Sequence, residues 1–129
     1  MPLVRVSLRE GTSPAHRVAI GKAIHQAMIE TINVPKDDRF QIVTEHSAAG
    51  LIYDPSYLGI ARTDRIVVIQ ITLNLGRTLD QKRALYRAIA ENLAKDPGIR
   101  KEDVLINLVE VARENWSFGN GLLSYPPPG

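Results

Sequence analysis

The sequence repeats itself at a spacing of 65 residues, and this repeat constrains the fold more than any other feature. Gly11 and Gly76 are 76 − 11 = 65 positions apart, and the same offset aligns most of the first half with the second without a gap. Self-similarity at a fixed period indicates a duplicated supersecondary unit. We therefore expect one domain over residues 1–129, with copies at about 2–46 and 67–111 and a tail at 112–129. Eight residues of the first copy recur unchanged in the second: Leu8, Gly11, Ala19, Ala23, Ile24, Lys36, Asp38 and Glu45.

Each copy has the hydrophobic pattern of a strand, a helix and a second strand. Residues 3–8 alternate between apolar and polar, as in a strand with one buried face, whereas 66–75 is almost continuously apolar, as in a buried central strand. The second strands are predicted at 39–45 and 104–110. Between the strands, the helices are predicted to begin at Ser13-Pro14 and Thr78, which are typical capping residues, and to close at Asn33 and Gly98.

This order predicts an α/β (α+β) fold with an uncovered sheet face. A strand-helix-strand unit makes its two strands parallel, so two copies give a four-stranded mixed sheet with both helices on one face. The other face then carries apolar side chains that nothing in the chain covers. Association through the sheets is the natural way to bury them, which predicts a homo-oligomer.

Composition excludes several classes of function. The formal charge is only +2 and no run of Lys and Arg interleaved with aromatic residues occurs, which argues against nucleic-acid binding. The chain has no cysteine, so disulfides and thiolate metal sites are impossible, and the spacing of its three histidines is not that of metal ligands. No apolar run approaches membrane length and no signal peptide is evident, so we expect a cytoplasmic protein without a membrane partner.

Pro2 is the first candidate for chemistry. If Met1 is removed, the ring nitrogen of Pro2 becomes a secondary amine at the head of the first strand. An α-amino group has a pKa of about 8 and can therefore act as an acid or a base at neutral pH. Val67 stands at the matching place in the second copy, so the strand itself does not demand proline. The structural alternative is a proline that merely begins an edge strand.

These features resemble the tautomerase superfamily, whose members have duplicated strand-helix-strand protomers, trimers with inward-facing sheets and an amino-terminal proline. The resemblance covers essentially the whole chain. It is nearest to the malonate semialdehyde decarboxylase branch, through Pro2 and through segments 35–40, 58–62, 76–78 and 116–119. It implies a homotrimeric enzyme that needs neither cofactor nor metal and that acts on a small carboxylate-bearing oxo acid.

The resemblance also implies roles for charged residues. Asp38 would lie close to Pro2, where it would favour the protonated amine or position water. Asp103 holds the matching place in the second copy, so a shared turn role is the alternative. Arg77 precedes a predicted helix start, where an anion can share the free amides, and would bind the substrate carboxylate. Arg39 is a second candidate for substrate contact.

Aromatic residues of the tail complete the implied site. Trp116 and Phe118 would shield the pocket, or alternatively pack between subunits. The best-known decarboxylase pattern has two arginines just after the third strand, whereas Asn74 and Gly76 hold those places here. The reaction therefore stays open between decarboxylation of a 3-oxo acid such as malonate semialdehyde and keto–enol tautomerisation of a 2-oxo acid. A non-catalytic oligomeric binding protein is the alternative from a different class.

Overall fold

The computed structural model describes residues 2–125 as a four-stranded sheet with two helices. Met1 and the last four positions of the predicted tail lie outside the described residues. The strands have the order β2-β1-β3-β4, with β1 parallel to β2, β3 parallel to β4, and β1 antiparallel to β3. The predicted mixed sheet is confirmed. The elements are β1 Leu3–Arg9, α1 Pro14–Ile32, β2 Phe40–His46, β3 Val67–Asn74, α2 Leu79–Lys95 and β4 Val104–Val111.

The strand register follows the sequence repeat. Leu3 pairs with Phe40 in the first copy and Val67 pairs with Val104 in the second, so both parallel pairs have the same offset, 40 − 3 = 104 − 67 = 37. Between the copies, Arg5 pairs with Gln70, its own counterpart at 65 residues. A pseudo-twofold axis therefore passes between these two residues. It relates the end of the sheet where β1 begins to the end where β3 begins.

Both helices begin as predicted. The Ser13 hydroxyl accepts a hydrogen bond from the His16 amide at 3.1 Å, and Pro14 is the first helical residue. Thr78 and Gln81 form a reciprocal capping box with distances of 2.9 and 3.1 Å. These bonds satisfy amides that a helix start leaves free.

The helix ends differ between the two copies. Asn33 ends α1 in the left-handed conformation with φ of 56°, as predicted. Helix α2 instead ends at Lys95, three residues before Gly98, because Pro97 cannot continue a helix. Gly98 has φ of 97° and still donates its amide to the Leu93 carbonyl at 3.0 Å, so it turns the chain back towards β4.

The core lies between the helices and one face of the sheet. Alternate residues of β1 and β3 point into it and pack against the apolar stripes of both helices, so both helices lie on one face, as predicted. The other face is exposed along the outer strands, where Phe40, Ile42, Leu105 and Val109 each keep 38–49% of their surface accessible. No helix within residues 2–125 is long and apolar enough to span a membrane.

Candidate active site

The predicted site residues gather mostly at one end of the sheet, where β1 begins. Leu3 pairs with Phe40 on one side and with Thr72 on the other, so the start of β1 lies between the start of β2 and the end of β3. Pro2 is buried immediately before this point. Asp38 precedes β2 and Arg77 follows β3, so the topology brings both to the end of the sheet at which Pro2 lies.

Asp38 is a buried carboxyl group in this region. It is 7% exposed and lies on the turn that leads into β2. Burial raises the pKa of Asp38 above its ordinary value, because desolvation disfavours the charged form; the positive amino terminus and His25 act in the opposite direction.

The matching aspartate of the second copy has a structural environment. Asp103 is 1% exposed and accepts hydrogen bonds from the Thr63 amide and hydroxyl, both at 2.7 Å. Arg100 adds an ion pair at 3.6 Å. These contacts fasten the segment before β3 to the start of β4. Neither partner of Asp103 has an equivalent in the first copy. At the 65-residue offset Arg100 corresponds to Pro35, which has no charge, and the position that would match Thr63 lies before the first residue of the numbering.

Arg77 lies at the same end and has partners that the sequence did not indicate. Its guanidinium donates to the Asn74 carbonyl at 3.2 Å and, at the longer distance of 3.5 Å, to the carbonyl of Ile32, the last residue of α1. The negative end of α1 therefore offsets the unfavourable position of this cation at the start of α2. These bonds use two of the five guanidinium N–H groups and leave three for a ligand.

The tail returns over the same end of the sheet as an aromatic cluster. The Trp116 indole N–H donates to the Asn74 side-chain oxygen at 2.7 Å, and the Trp116 ring stacks on Phe118 with centroids 5.1 Å apart. Phe118 in turn lies 6.0 Å from Phe40, and Tyr125 meets it edge-on at 5.9 Å. The tail is thus anchored beside the first residues of β1.

Arg39 lies apart from these aromatic residues. Its Nε donates to the Gln41 side-chain oxygen at 3.2 Å, and Gln41 donates to the Gly21 carbonyl of α1 at 2.9 Å. These contacts place the guanidinium against the helix layer. Its predicted contact with substrate stays a prediction.

A cavity of about 570 Å³ lies at the opposite end of β1. Residues around it include Arg9, Thr12, His16 and Arg65. Burial, with smaller effects of Arg65 and Arg17, lowers the pKa of His16. Thr12 is the repeat counterpart of Arg77, so this cavity is related by the pseudo-twofold axis to the Pro2 end. This cavity and the predicted chemistry therefore lie at different ends, and we favour the Pro2 end because the candidate amine and carboxyl group lie there.

Sequence reasoning missed two polar residues at the Pro2 end. Asn74 appeared only as a departure from the decarboxylase pattern, and its bond to Trp116 depends on how the tail folds. His25 appeared only as one of three histidines whose spacing is not that of metal ligands. The repeat carried a signal for it, because its counterpart in the second copy is Ala90. Within residues 2–125, no group of three or more His, Asp or Glu side chains is arranged to hold a metal ion.

Comparison with known proteins agrees with this architecture. Two family models, each described as tautomerase enzyme, match residues 2–61 and 38–119. The chain is 47% identical to the probable tautomerase YusQ of Bacillus subtilis (strain 168), over 94% of this chain and 95% of the relative. It is 36% identical to the probable tautomerase YrdN of the same organism, over 94% and 93%.

Solved structures show the same family and, in addition, the branch of that family which the chain resembles. The FG41 malonate semialdehyde decarboxylase inhibited by 3-bromopropiolate superposes with a TM-score of 0.90 at 37% identity, covering 95% of this chain and 93% of that chain. A second malonate semialdehyde decarboxylase superposes at 0.88 with 30% identity, covering 94% and 93%. A fused 4-OT symmetric trimer superposes at 0.76 with 26% identity, covering 93% and 94%. The resemblance to the decarboxylase branch is confirmed, and the chain belongs to the tautomerase family.

Proposed function

We propose that this protein is a cofactor-independent enzyme that uses the Pro2 amine as an acid or base on a small oxo acid, with malonate semialdehyde as the first candidate substrate. Arg77 binds the substrate carboxylate, Asp38 adjusts the charge of the amine, and Trp116 with Phe118 shields the reacting groups from water. Arg39 is a weaker candidate for substrate contact, since its guanidinium lies against Gln41. The proposal requires removal of Met1.

The observation that carries the proposal is the difference between the two related ends of the sheet. Where the second copy has Val67 as the first residue of β3, the first copy has Pro2, directly before β1. Asp103 is fastened by Thr63 and Arg100, whereas Asp38 has Pro35 at the place of Arg100 and is buried at the end of the sheet where Pro2 lies. A buried carboxyl group near an amine is the arrangement that an acid–base site needs.

The chemistry of decarboxylation follows from these positions. The protonated amine donates a hydrogen bond to the aldehyde oxygen of malonate semialdehyde while Arg77 orients the carboxylate. The bond between the carboxylate carbon and the central carbon breaks, carbon dioxide leaves, and the electron pair moves into an enolate whose oxygen the amine stabilises. Transfer of a proton to the central carbon then gives acetaldehyde. An ionised Asp38 favours the protonated amine at the start of this sequence.

Relatives support both the chemistry and the assembly. The decarboxylase that is 30% identical was solved as the wild type, as a mutant whose first residue, a proline, is replaced by alanine, and in an inactivated form, to explain decarboxylase and hydratase activities. The fused 4-OT relative is a symmetric trimer. A trimer of this chain would cover the exposed face that carries Phe40, Ile42, Leu105 and Val109.

Keto–enol tautomerisation of a 2-oxo acid is the second candidate. The curated relatives are probable tautomerases, and the chain lacks the paired arginines expected of the best-known decarboxylases. The same amine would move a proton between the carbon and the oxygen of the substrate. A non-catalytic oligomeric binding protein remains the alternative without chemistry.

The test compares three forms of the protein: Met1 removed, Met1 retained, and Pro2→Ala with Met1 removed. Intact mass establishes the first residue of each. Turnover is measured with malonate semialdehyde and with the enol phenylenolpyruvate. The form that retains Met1 has an amide in place of the ring amine, so its turnover should collapse, and the alanine form should keep a small fraction through its primary amine.

Folding should be alike in the three forms, because the change affects one end of one strand. Equal turnover in all three would remove the amine from the mechanism. Absence of turnover on both substrates in the form without Met1 would favour the binding protein.

A further inference from the structure

His25 is a buried titratable residue that the proposed chemistry does not yet use. It lies on α1, is 7% exposed, and its Nε2 is 2.8 Å from the Lys36 carbonyl oxygen. A carbonyl oxygen only accepts hydrogen bonds, so Nε2 carries the proton of this bond. The other ring nitrogen, Nδ1, is buried and has no hydrogen-bond partner among residues 2–125. The bond links α1 to the short turn that ends at Asp38.

The second copy shows that the fold does not require this histidine. The counterpart of His25 is Ala90, and α2 is nevertheless a complete helix packed on the same sheet. The second copy fixes its aspartate with Arg100, whereas the first copy has Pro35 at that place. At the end that carries Pro2, a hydrogen bond from His25 therefore holds the turn before the aspartate, where the second copy has an ion pair from Arg100.

Charged groups act on the buried Asp38 carboxyl group. Burial raises the pKa of Asp38, and the positive charges of the amino terminus and of His25 act in the opposite direction. The neighbours Lys36, Asp37 and Arg39 are exposed, and the Arg39 guanidinium contacts Gln41. His25 on α1 is the group of the helix layer that acts electrostatically on the Asp38 carboxyl group.

We infer that His25 is a positioning residue of the Pro2 site, which fixes the turn that presents Asp38 and couples this carboxyl group to the helix layer. The inference rests on the proposed function for its effect on turnover. Its structural part, the coupling of His25 to Asp38, is independent of any substrate.

Two substitutions separate position from charge. His25→Gln keeps an N–H donor that can reach the Lys36 carbonyl but removes the titratable ring. His25→Ala removes both the donor and the charge. His16→Gln is the matched control, since His16 lies on the same helix at the opposite end of the sheet. Each variant is made in the full chain with Met1 removed.

The first measurement follows the Asp38 carboxyl carbon by NMR as a function of pH in the resting protein. Loss of the His25 charge should raise the pKa of Asp38 further in the glutamine variant, and His16→Gln should leave it unchanged. The second measurement is the pH profile of kcat/KM. Its acid limb should move to higher pH in the glutamine variant, and the alanine variant should in addition lose about 10- to 100-fold at the plateau, because the turn is no longer held.

An unchanged Asp38 titration in His25→Gln overturns the inference, whatever the enzyme activity. A shifted titration together with an acid limb that does not move shows coupling without a role in turnover, and this also overturns it. If the form without Met1 turns over neither substrate while the titration still shifts, the proposed function has failed and the coupling stands. Should the alanine variant fail to fold, the glutamine variant alone decides.

Discussion

Replacement of each repeat-related aspartate by asparagine separates a structural carboxylate from a functional one. Asp38→Asn and Asp103→Asn change the same atoms at equivalent points of two equivalent units. The contacts predict opposite results. Asp103→Asn should destabilise the fold and keep turnover per folded molecule, whereas Asp38→Asn should keep or raise stability and abolish most turnover.

The magnitude for Asp103 follows from its contacts. The carboxylate accepts two bonds of 2.7 Å from Thr63 and pairs with Arg100 at 3.6 Å. An asparagine still accepts one bond from the Thr63 amide and can donate to the hydroxyl, so the loss is roughly that of one charge-assisted bond, about 2–3 kcal/mol. For a chain of 129 residues this corresponds to a fall in Tm of about 10 °C.

The expected effect of Asp38→Asn on stability has the opposite sign, because burial raises the pKa of Asp38. A raised pKa means that the folded state disfavours the ionised form. The stability associated with the protonated group is fully present below the unfolded pKa and is lost as pH rises through the folded pKa. Asparagine cannot ionise, so the Tm of Asp38→Asn relative to the wild type should increase as pH rises through the folded pKa of Asp38.

The assay is thermal unfolding from about pH 3 to pH 8 at one fixed protein concentration, since Tm depends on concentration in an oligomer. Kinetics with malonate semialdehyde and phenylenolpyruvate are measured on the same samples at pH 7. Loss of about 10 °C by both variants, with turnover of both intact, would refute the reasoning, since it would mean that the two aspartates share one turn role.

Two further predictions concern assembly and substrate binding. The protein should sediment as a trimer with a mass of about 43 kDa, three times 14.3 kDa. Ile42→Lys on the exposed sheet face should convert the trimer to the monomer. A wild-type monomer at micromolar concentration would contradict the proposed assembly. Arg77→Ala should raise KM for an oxo acid by about 10- to 100-fold, because one charge-assisted pair is lost. The control Arg65→Ala, at the opposite cavity, should leave KM unchanged. A lowered Tm of Arg77→Ala with unchanged KM would mean that Arg77 serves only its bonds with Asn74 and Ile32.

Most of the fold was predictable because its determinants act over short distances in the sequence. Strand alternation and the caps at Ser13 and Thr78 each depend on a few neighbouring residues, and the repeat supplied an independent check on both halves. The strand limits differ from the predicted ones by about one residue. The larger difference was the end of α2, where Pro97 stops the helix before Gly98, the residue expected to close it.

The site was predictable only in part, because its contacts join distant segments. That Asp38 and Arg77 lie at the end where β1 begins follows from topology once the two units are recognised. The partner of Arg77 at the end of α1 is 45 residues away, and the bond from Trp116 to Asn74 spans 42. No local pattern encodes either pairing, since both depend on how the helix layer and the tail settle on the finished sheet.

The repeat offers more than a guide to the fold, because one unit serves as a structural control for the other. Ion pairs that both copies need are kept: Arg17 with Glu45 at 3.0 Å, and their counterparts Lys82 with Glu110 at 2.8 Å. The Pro2 end differs from its counterpart at three positions, since Pro2, His25 and Arg77 correspond to Val67, Ala90 and Thr12. Folding stability alone does not explain why the proline, the histidine and the arginine all lie at the same end of the sheet. Selection for chemistry at that end gives one.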